Sequence, residues 1–264
     1  MHIKTPSETL AASLAAGSLK VENTMKHPGR LFVAAIAAGA FIAMGGILSL
    51  TVGFGFPGVT AANSAMAKLL AGAMFPIGLI LVVVLGAELF TGNNAMLVPA
   101  YMERRYGAGA VMANWSLVYL GNFVGAVGFT YLLVYLTGLV ASDPWHSAIV
   151  GIGVAKTSMP WGVVLLKGIG ANWFVCLGVW LALAGHNLLE KAFGCWLPVM
   201  AFVVLGYEHC IANMFYLPLA MMEGAPIGVG DCLWRNLVPA TIGNILGGAL
   251  FVGCLHWYLH RPRS

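Results

Sequence analysis

The chain is short of charge. Only 8% of its 264 residues are Asp, Glu, Lys or Arg, against about a quarter in a soluble domain, so a water-soluble globular fold is excluded. Although the net charge is +4, the Lys and Arg residues are scattered and no basic run interleaved with aromatics occurs, which excludes a nucleic-acid partner. The five cysteines, Cys176, Cys195, Cys210, Cys232 and Cys254, have no C-x-x-C spacing and sit mostly in apolar runs. They read as small packing residues rather than disulfides or metal ligands, and no cofactor is expected. The first long apolar run starts only at Leu31, so a cleavable signal peptide is not expected.

What is abundant is apolar sequence, 60% of the chain, in stretches long enough for a helix to cross the hydrocarbon core. Six spans are expected: Arg30 to Val52, Ala65 to Tyr101, Ala108 to Leu136, Pro160 to Gly185, Ala192 to Met222, and Leu237 to Leu259. The division that follows is a cytoplasmic or interfacial segment at 1–29, a transmembrane domain at 30–260 and a cytoplasmic tail at 261–264. Thr5, Pro6 and Glu8 form a capping-box pattern with proline at the first helical position, predicting a short helix through Leu10, Leu14 and Leu19. That helix reads as amphipathic, lying at the interface or packed on the membrane domain. Lys4, Lys20, Lys26, Arg30, Arg104, Arg105, Lys191, Arg261 and Arg263 fall on one side of these spans, and chiefly Lys68, Lys156 and Arg235 on the other. The positive-inside rule then puts both termini in the cytoplasm.

An internal repeat is the most informative feature. Glu88 stands five residues before Asn93, and Glu208 five before Asn213. Further along, Asn114 precedes Gly121, Asn122 and Gly125, and Asn236 precedes Gly243, Asn244 and Gly247 with the same offsets, about 120 residues later. Three spans per repeat is an odd number, so the halves must be inverted relative to one another, an arrangement that places a transport site near the bilayer midplane. The second and fifth spans are too long for one straight crossing and carry polar groups at their centres. Both are expected to be broken helices whose second halves resume after Gly92 and Ala212. Backbone freed inside a bilayer survives only beside protein or water, and helix N-termini aimed at the centre favour an anion.

His209 is the histidine set deep in apolar sequence. It can polarise or protonate an anion, or serve as a structural hydrogen-bonding group. Glu88 and Glu208 read as structural carboxylates that cap freed backbone N–H groups or fix a neighbouring side chain. Asn172 and Asn244 lie inside spans and can bond His209, the permeant or a neighbouring helix. Lys167, within the fourth span, and Lys156, on its outer approach, add positive potential. Bulky Phe75, Leu79, Leu89, Phe90 and Phe202 flank the breaks and read either as core packing or as a gate.

Three stretches carry a resemblance to a known family: Gly86-Ala87-Glu88-Leu89-Phe90-Thr91-Gly92-Asn93, Gly168 through Leu177, and Gly206-Tyr207-Glu208-His209-Cys210-Ile211-Ala212-Asn213-Met214-Phe215. They resemble signatures of the formate/nitrite transporter family, and the similarity continues through Pro239 to Gly248. The resemblance implies an all-α integral membrane protein with an aquaporin-like fold of six transmembrane helices in two inverted three-helix repeats, assembled as a homopentamer. It further implies His209 as the central pore histidine, Thr91 as its partner, and Lys156 and Asn172 as polar pore residues. Leu79, Leu89 and Phe202 are the implied constrictions, with Glu208 and Asn244 supporting the centre. Tyr207 and Cys210 stand where phenylalanine and serine are frequent in the family, which bears on the substrate.

The expected function is therefore passage of a small monovalent weak-acid anion, formate foremost and nitrite or hydrosulfide as alternatives, across the cell inner membrane. An intramembrane hydrolase would need a nucleophile such as Ser116 beside His209, and the sequence has no G-x-S-x-G elbow. Paired Asn-Pro-Ala motifs and a second pore histidine, expected of water and ammonium channels, are also missing.

Overall fold

The computed structural model describes residues 3–262, and Arg263 of the expected tail lies outside them. The described residues are helical with no β-strand. In order the helices are α1 (Pro6–Lys26), α2 (Pro28–Phe54), α3 (Pro57–Ala62), α4 (Ser64–Met74), α5 (Ile77–Leu85), α6 (Phe90–Met96), α7 (Val98–Met102), α8 (Ala108–Phe129), α9 (Trp145–Ser158), α10 (Trp161–Ala184), α11 (Leu188–Val204), α12 (Cys210–Met222), α13 (Val238–Gly248) and α14 (Leu255–His260). Wider π-helical turns extend α8 through Thr130–Tyr135, lead into α13 at Asp231–Leu237 and join α13 to α14 at Ala249–Cys254.

Five continuous helical stretches are long and apolar enough to cross a bilayer: Pro28–Phe54, Ser64–Leu85, Ala108–Tyr135, Trp161–Ala184 and Asp231–His260. The expected span Ala192 to Met222 is broken, as its length suggested, into two shorter helices, α11 and α12. Helix α9 was not anticipated. Its residues were read as part of the connection before the fourth span, yet Pro144 and Pro160 bracket a regular helix that carries Lys156 in its last turn.

Helix α1 opens on the capping box expected of it: Thr5 Oγ1 accepts from Glu8 N at 3.3 Å, and a Glu8 carboxylate oxygen accepts from Thr5 N at 2.7 Å. The Thr5 backbone N–H, and next its hydroxyl, hold the Glu8 carboxyl below its ordinary 4.5. A depressed carboxylate stabilises the fold above its unfolded value and loses that contribution as pH falls through the lowered one, so this cap is intact at neutral pH. The helix runs a further turn and more past Leu19, to Lys26, and buries Leu10 and Val21 against the bundle. Lys4 Nζ donates to Leu183 O at 3.0 Å, closing the C-terminal end of α10.

Two helix pairs fix the frame, α2 with α8 and α10 with α13. Each approach is set by glycine. A Cβ on Gly125 would run into the Ile36 carbonyl oxygen, and one on Gly243 into that of Leu165. In lipid, where no hydrophobic drive pulls helices together, such close backbone approach supplies the packing.

Candidate permeation site

Both breaks follow the same local chemistry. Helix α5 ends at Gly86, in the left-handed region at φ 72°, with Ala87 N donating back to Val82 O at 2.9 Å. Helix α11 gives way to Gly206 at φ 67°, with Tyr207 N donating to Phe202 O at 3.1 Å. Glycine tolerates this conformation, and the six-to-one bond satisfies a carbonyl the ended helix leaves open. The chain then runs extended through Leu89 and His209, and the helices resume at Phe90 and Cys210, three residues earlier than the sequence suggested.

The N–H groups freed at each restart are met by asparagines from the paired helices. Asn122 Oδ1 accepts from Phe90 N at 2.9 Å, while its Nδ2 donates to Glu88 O and Ala35 O. Asn244 Oδ1 accepts from Cys210 N at 2.8 Å, and its Nδ2 donates to Glu208 O and Gly168 O. The carboxylates do not cap the backbone; of the two structural roles expected for them, they take the second and fix side chains. Glu88 accepts from Asn93 Nδ2 at 2.9 Å and from Lys20 Nζ at 2.8 Å, and Asn93 in turn donates to Asn114. Glu208 accepts from Asn213 Nδ2 at 2.7 Å, from Asn236 Nδ2 at 3.0 Å and from Lys156 Nζ at 2.9 and 3.0 Å. Each break thus holds one carboxylate, three asparagines and one lysine.

The breaks differ in the residue that stands just before each restarted helix. Where the first has Leu89, with no side-chain cap, the second has His209, which is 2% exposed. His209 Nδ1 accepts from Ala212 N at 3.1 Å, and Nε2 lies 3.0 Å from Thr91 Oγ1. A ring nitrogen that accepts a backbone N–H carries no proton, so the proton of the neutral ring sits on Nε2 and donates to Thr91. Protonating Nδ1 as well would set donor against donor and undo the cap of α12. Among the described residues no acceptor is found for the Thr91 hydroxyl hydrogen.

Two cavities approach this centre and share no lining residue. The larger, about 600 Å³, is lined by Phe75, Phe202, His209, Lys68, Lys156 and Lys167 among others. The smaller, about 240 Å³, is bounded by Leu79, Leu89, Lys20 and Glu88 among others. Phe75 packs edge-on against Phe202 with ring centres 5.7 Å apart, and Phe202 stacks on His209 at 5.8 Å.

Several expected site residues take other positions. Phe90 lines neither cavity; its ring packs edge-on against Trp115 and Tyr119 of α8, with centres 6.3 and 4.9 Å away. Asn172 does not reach His209; its Nδ2 clasps Thr91 O, Asn94 Oδ1 and Asn244 O at 2.7–3.2 Å. Lys156, read as a source of positive potential on the outer approach, is the ion-pair partner of Glu208, with its side chain 16% exposed. Lys167 does line the larger cavity, and no ion pair of it is found among the described residues. Lys20 entered the sequence reading only as one of the basic residues of the cytoplasmic side, since nothing in a short N-terminal helix marks one lysine as the partner of Glu88. The asparagines Asn93, Asn114, Asn122, Asn213 and Asn236 were visible as repeat landmarks; their matched offsets were the signal that they share a task.

Helical stretches able to cross a bilayer, interrupted at two polar breaks that two separate cavities approach, define a polytopic membrane protein. A sequence profile of the family described as "Formate/nitrite transporter" matches residues 7–258. The chain is 37% identical over 275 residues to a "Probable formate transporter" of Methanothermobacter thermautotrophicus, covering 97% of each. Among solved structures it superposes on an "FNT family ion channel" with TM-score 0.87 and 30% identity, covering 96% of this chain and 98% of the other. It also superposes on a "Pentameric formate channel with formate bound" with TM-score 0.77 and 29% identity, covering 90% and 99%. The chain belongs to the formate/nitrite transporter family.

Proposed function

We propose that this protein is a channel carrying formate across the cell inner membrane together with a proton. One observation carries the reading: His209, held neutral by its own backbone bond, stands beside Thr91 among the buried side chains Phe75, Leu79, Leu89 and Phe202, with a lysine-bearing cavity on either side. The formate relative and the formate-bound structural neighbour favour formate as the permeant. The matched pair of breaks supports two inverted repeats of three spans in an aquaporin-like arrangement, with residues 30–260 as the channel domain, 1–29 and 261–264 cytoplasmic, and both termini on that side. A hydrolytic role has no support, because Ser116 is exposed on α8 and makes no hydrogen bond to His209 among the described residues.

The passage follows from the cost of charge. A formate ion is drawn into the larger cavity by Lys68 and Lys167, for which no carboxylate partner is found among the described residues. Carrying the charge on past the apolar rings costs at least about 2.5–3.5 kcal/mol. Formic acid avoids most of that cost and still needs partners for its carboxyl oxygens, which the Thr91 hydroxyl and the His209 Nε2–H supply. His209 acts as a fixed dipole and hydrogen-bond donor, and the proton comes from water in the cavity.

Flux into proteoliposomes tests the substrate. Formate uptake is expected to exceed nitrite and hydrosulfide uptake at equal concentration; the reverse order would assign the pore to one of those anions. Lys167→Ala should lower formate uptake several-fold at low ionic strength, with the difference shrinking at high salt as screening takes over. Equal uptake at low salt would remove Lys167 from the pathway. The assembly proposed is a homopentamer, which the pentameric structural neighbour favours, with one pore in each protomer. Native mass spectrometry in detergent is expected to give the mass of five chains, and monomers or trimers alone would contradict it.

A further inference from the structure

Away from the permeation site, α14 carries two histidines one turn apart. His256 and His260 stand on the same face with ring centres 5.9 Å apart and planes inclined by 53°. Histidines at i and i+4 on a helix are the spacing at which two imidazoles close on one transition-metal ion. With a metal–nitrogen distance of about 2.0–2.1 Å, each ring centre lies roughly 3.2 Å from the ion. Two rings on one ion are then separated by roughly 4.5 Å at a right-angled N–metal–N geometry and up to roughly 6.4 Å at a linear one. The observed separation falls inside this interval before any side chain moves.

The local bonding prepares the pair as ligands. His256 Nδ1 lies 3.0 Å from Val252 O, the carbonyl one turn earlier, so the bond requires the proton on Nδ1 and leaves Nε2 with its lone pair. A ring held through one nitrogen by a backbone carbonyl is the usual support for metal ligation through the other. Packing adds to this: the His256 ring lies against Trp180 with centres 4.6 Å apart, and Trp180 is 7% exposed. Among the described residues neither His256 Nε2 nor either ring nitrogen of His260 has a hydrogen-bond partner. Both rings are partly exposed, which leaves a path for an ion. No cluster of three or more His, Cys, Asp or Glu is found among the described residues, so the remaining coordination positions would be filled by water.

We propose that His256 and His260 form a two-histidine site for a divalent transition metal of the zinc and copper class, on the face of α14 that meets Trp180 of α10. Imidazole pairs suit zinc, copper and nickel over the hard cations magnesium and calcium. Bound metal ties two successive turns of the last helix together, next to helices joined to the first break.

Copper(II) chloride titrated into the purified full-length protein in detergent provides the test, read by tryptophan emission, because Trp180 lies against the ligating ring and a paramagnetic ion there quenches it. Saturable quenching by one equivalent is expected. His260→Ala should weaken the copper affinity at least tenfold, whereas His186→Ala, which removes an exposed histidine elsewhere, should leave it unchanged. Zinc chloride should raise the thermal unfolding midpoint of the wild type and not that of His260→Ala, since a ligand bound only to the folded state stabilises it. Magnesium chloride should do neither. Quenching that never saturates, or equal affinity in the wild type and His260→Ala, would overturn the proposal. The zinc readout separates a folding defect from loss of the site, because a destabilised variant that kept the site would still gain stability from zinc.

Discussion

Formate uptake by His209→Phe is expected to fall by about two orders of magnitude, while His209→Asn keeps uptake within about tenfold of the wild type and keeps its rise at acid pH. The phenylalanine removes the one ring among Phe75, Phe202, Leu79 and Leu89 that can donate to the permeant. Leaving a carboxyl oxygen without a partner there costs about 1–3 kcal/mol, on top of the lost dipole, and tenfold in rate is about 1.4 kcal/mol. Phenylalanine also deletes the acceptor that caps Ala212 N, worth about 1 kcal/mol of helix stability. Asparagine restores that cap, being among the best residues for the position, and still offers an N–H toward the cavity. It has no proton to give near neutral pH. If His209 donated the transported proton, the asparagine variant would lose the pH dependence; if His209 is the neutral dipole its Nδ1 bond requires, the dependence survives. Uptake of formate and of protons by the two variants in proteoliposomes distinguishes these outcomes.

Lys156→Ala is expected to destabilise the fold by about 3–5 kcal/mol, the cost of leaving a buried carboxylate without its cation. Glu208 is 3% exposed, and besides Lys156 it holds Asn213 and Asn236, so the lost ion pair also loosens the polar cluster that fixes the restart of α12. The sequence alone read Lys156 as a source of positive potential on the outer approach, not as the partner of a buried carboxylate. The double variant Lys156→Met with Glu208→Gln removes both charges and should recover a large part of the loss, since replacing a buried pair by uncharged groups of similar volume is often close to neutral. Thermal unfolding in detergent, measured for both single variants and the double, gives the coupling directly. A Lys156→Ala protein as stable as the wild type would mean the pair contributes little to the fold.

The spans and breaks were legible because they are written in local terms. Apolar length, a glycine before each Glu, and an Asn five residues beyond it survive in the sequence as spacing. What decides the site is mostly not local. Lys20 meets Glu88 across 68 positions, and Thr91 meets His209 across 118. Periodicity is blind to both. Phe90 and Asn172 were misplaced for a related reason: an apolar ring or an amide beside a break can face the cavity or the neighbouring helix, and the helix that restarts three residues early carries Phe90 against Trp115 and Tyr119. Helix α9 was hidden because its fourteen residues Trp145–Ser158 fall between prolines in a connection too short and too polar to be a span.

The central claim is that formate crosses with a proton, as a net neutral pair. Proteoliposomes carrying the protein, loaded with a pH-sensitive dye and given external formate at imposed membrane potentials, test it most directly. The account predicts internal acidification equal to the formate taken up, a faster rate at lower external pH, and no response to the potential. Uptake that follows the potential and leaves the internal pH unchanged would show that formate passes as the anion, and would contradict it.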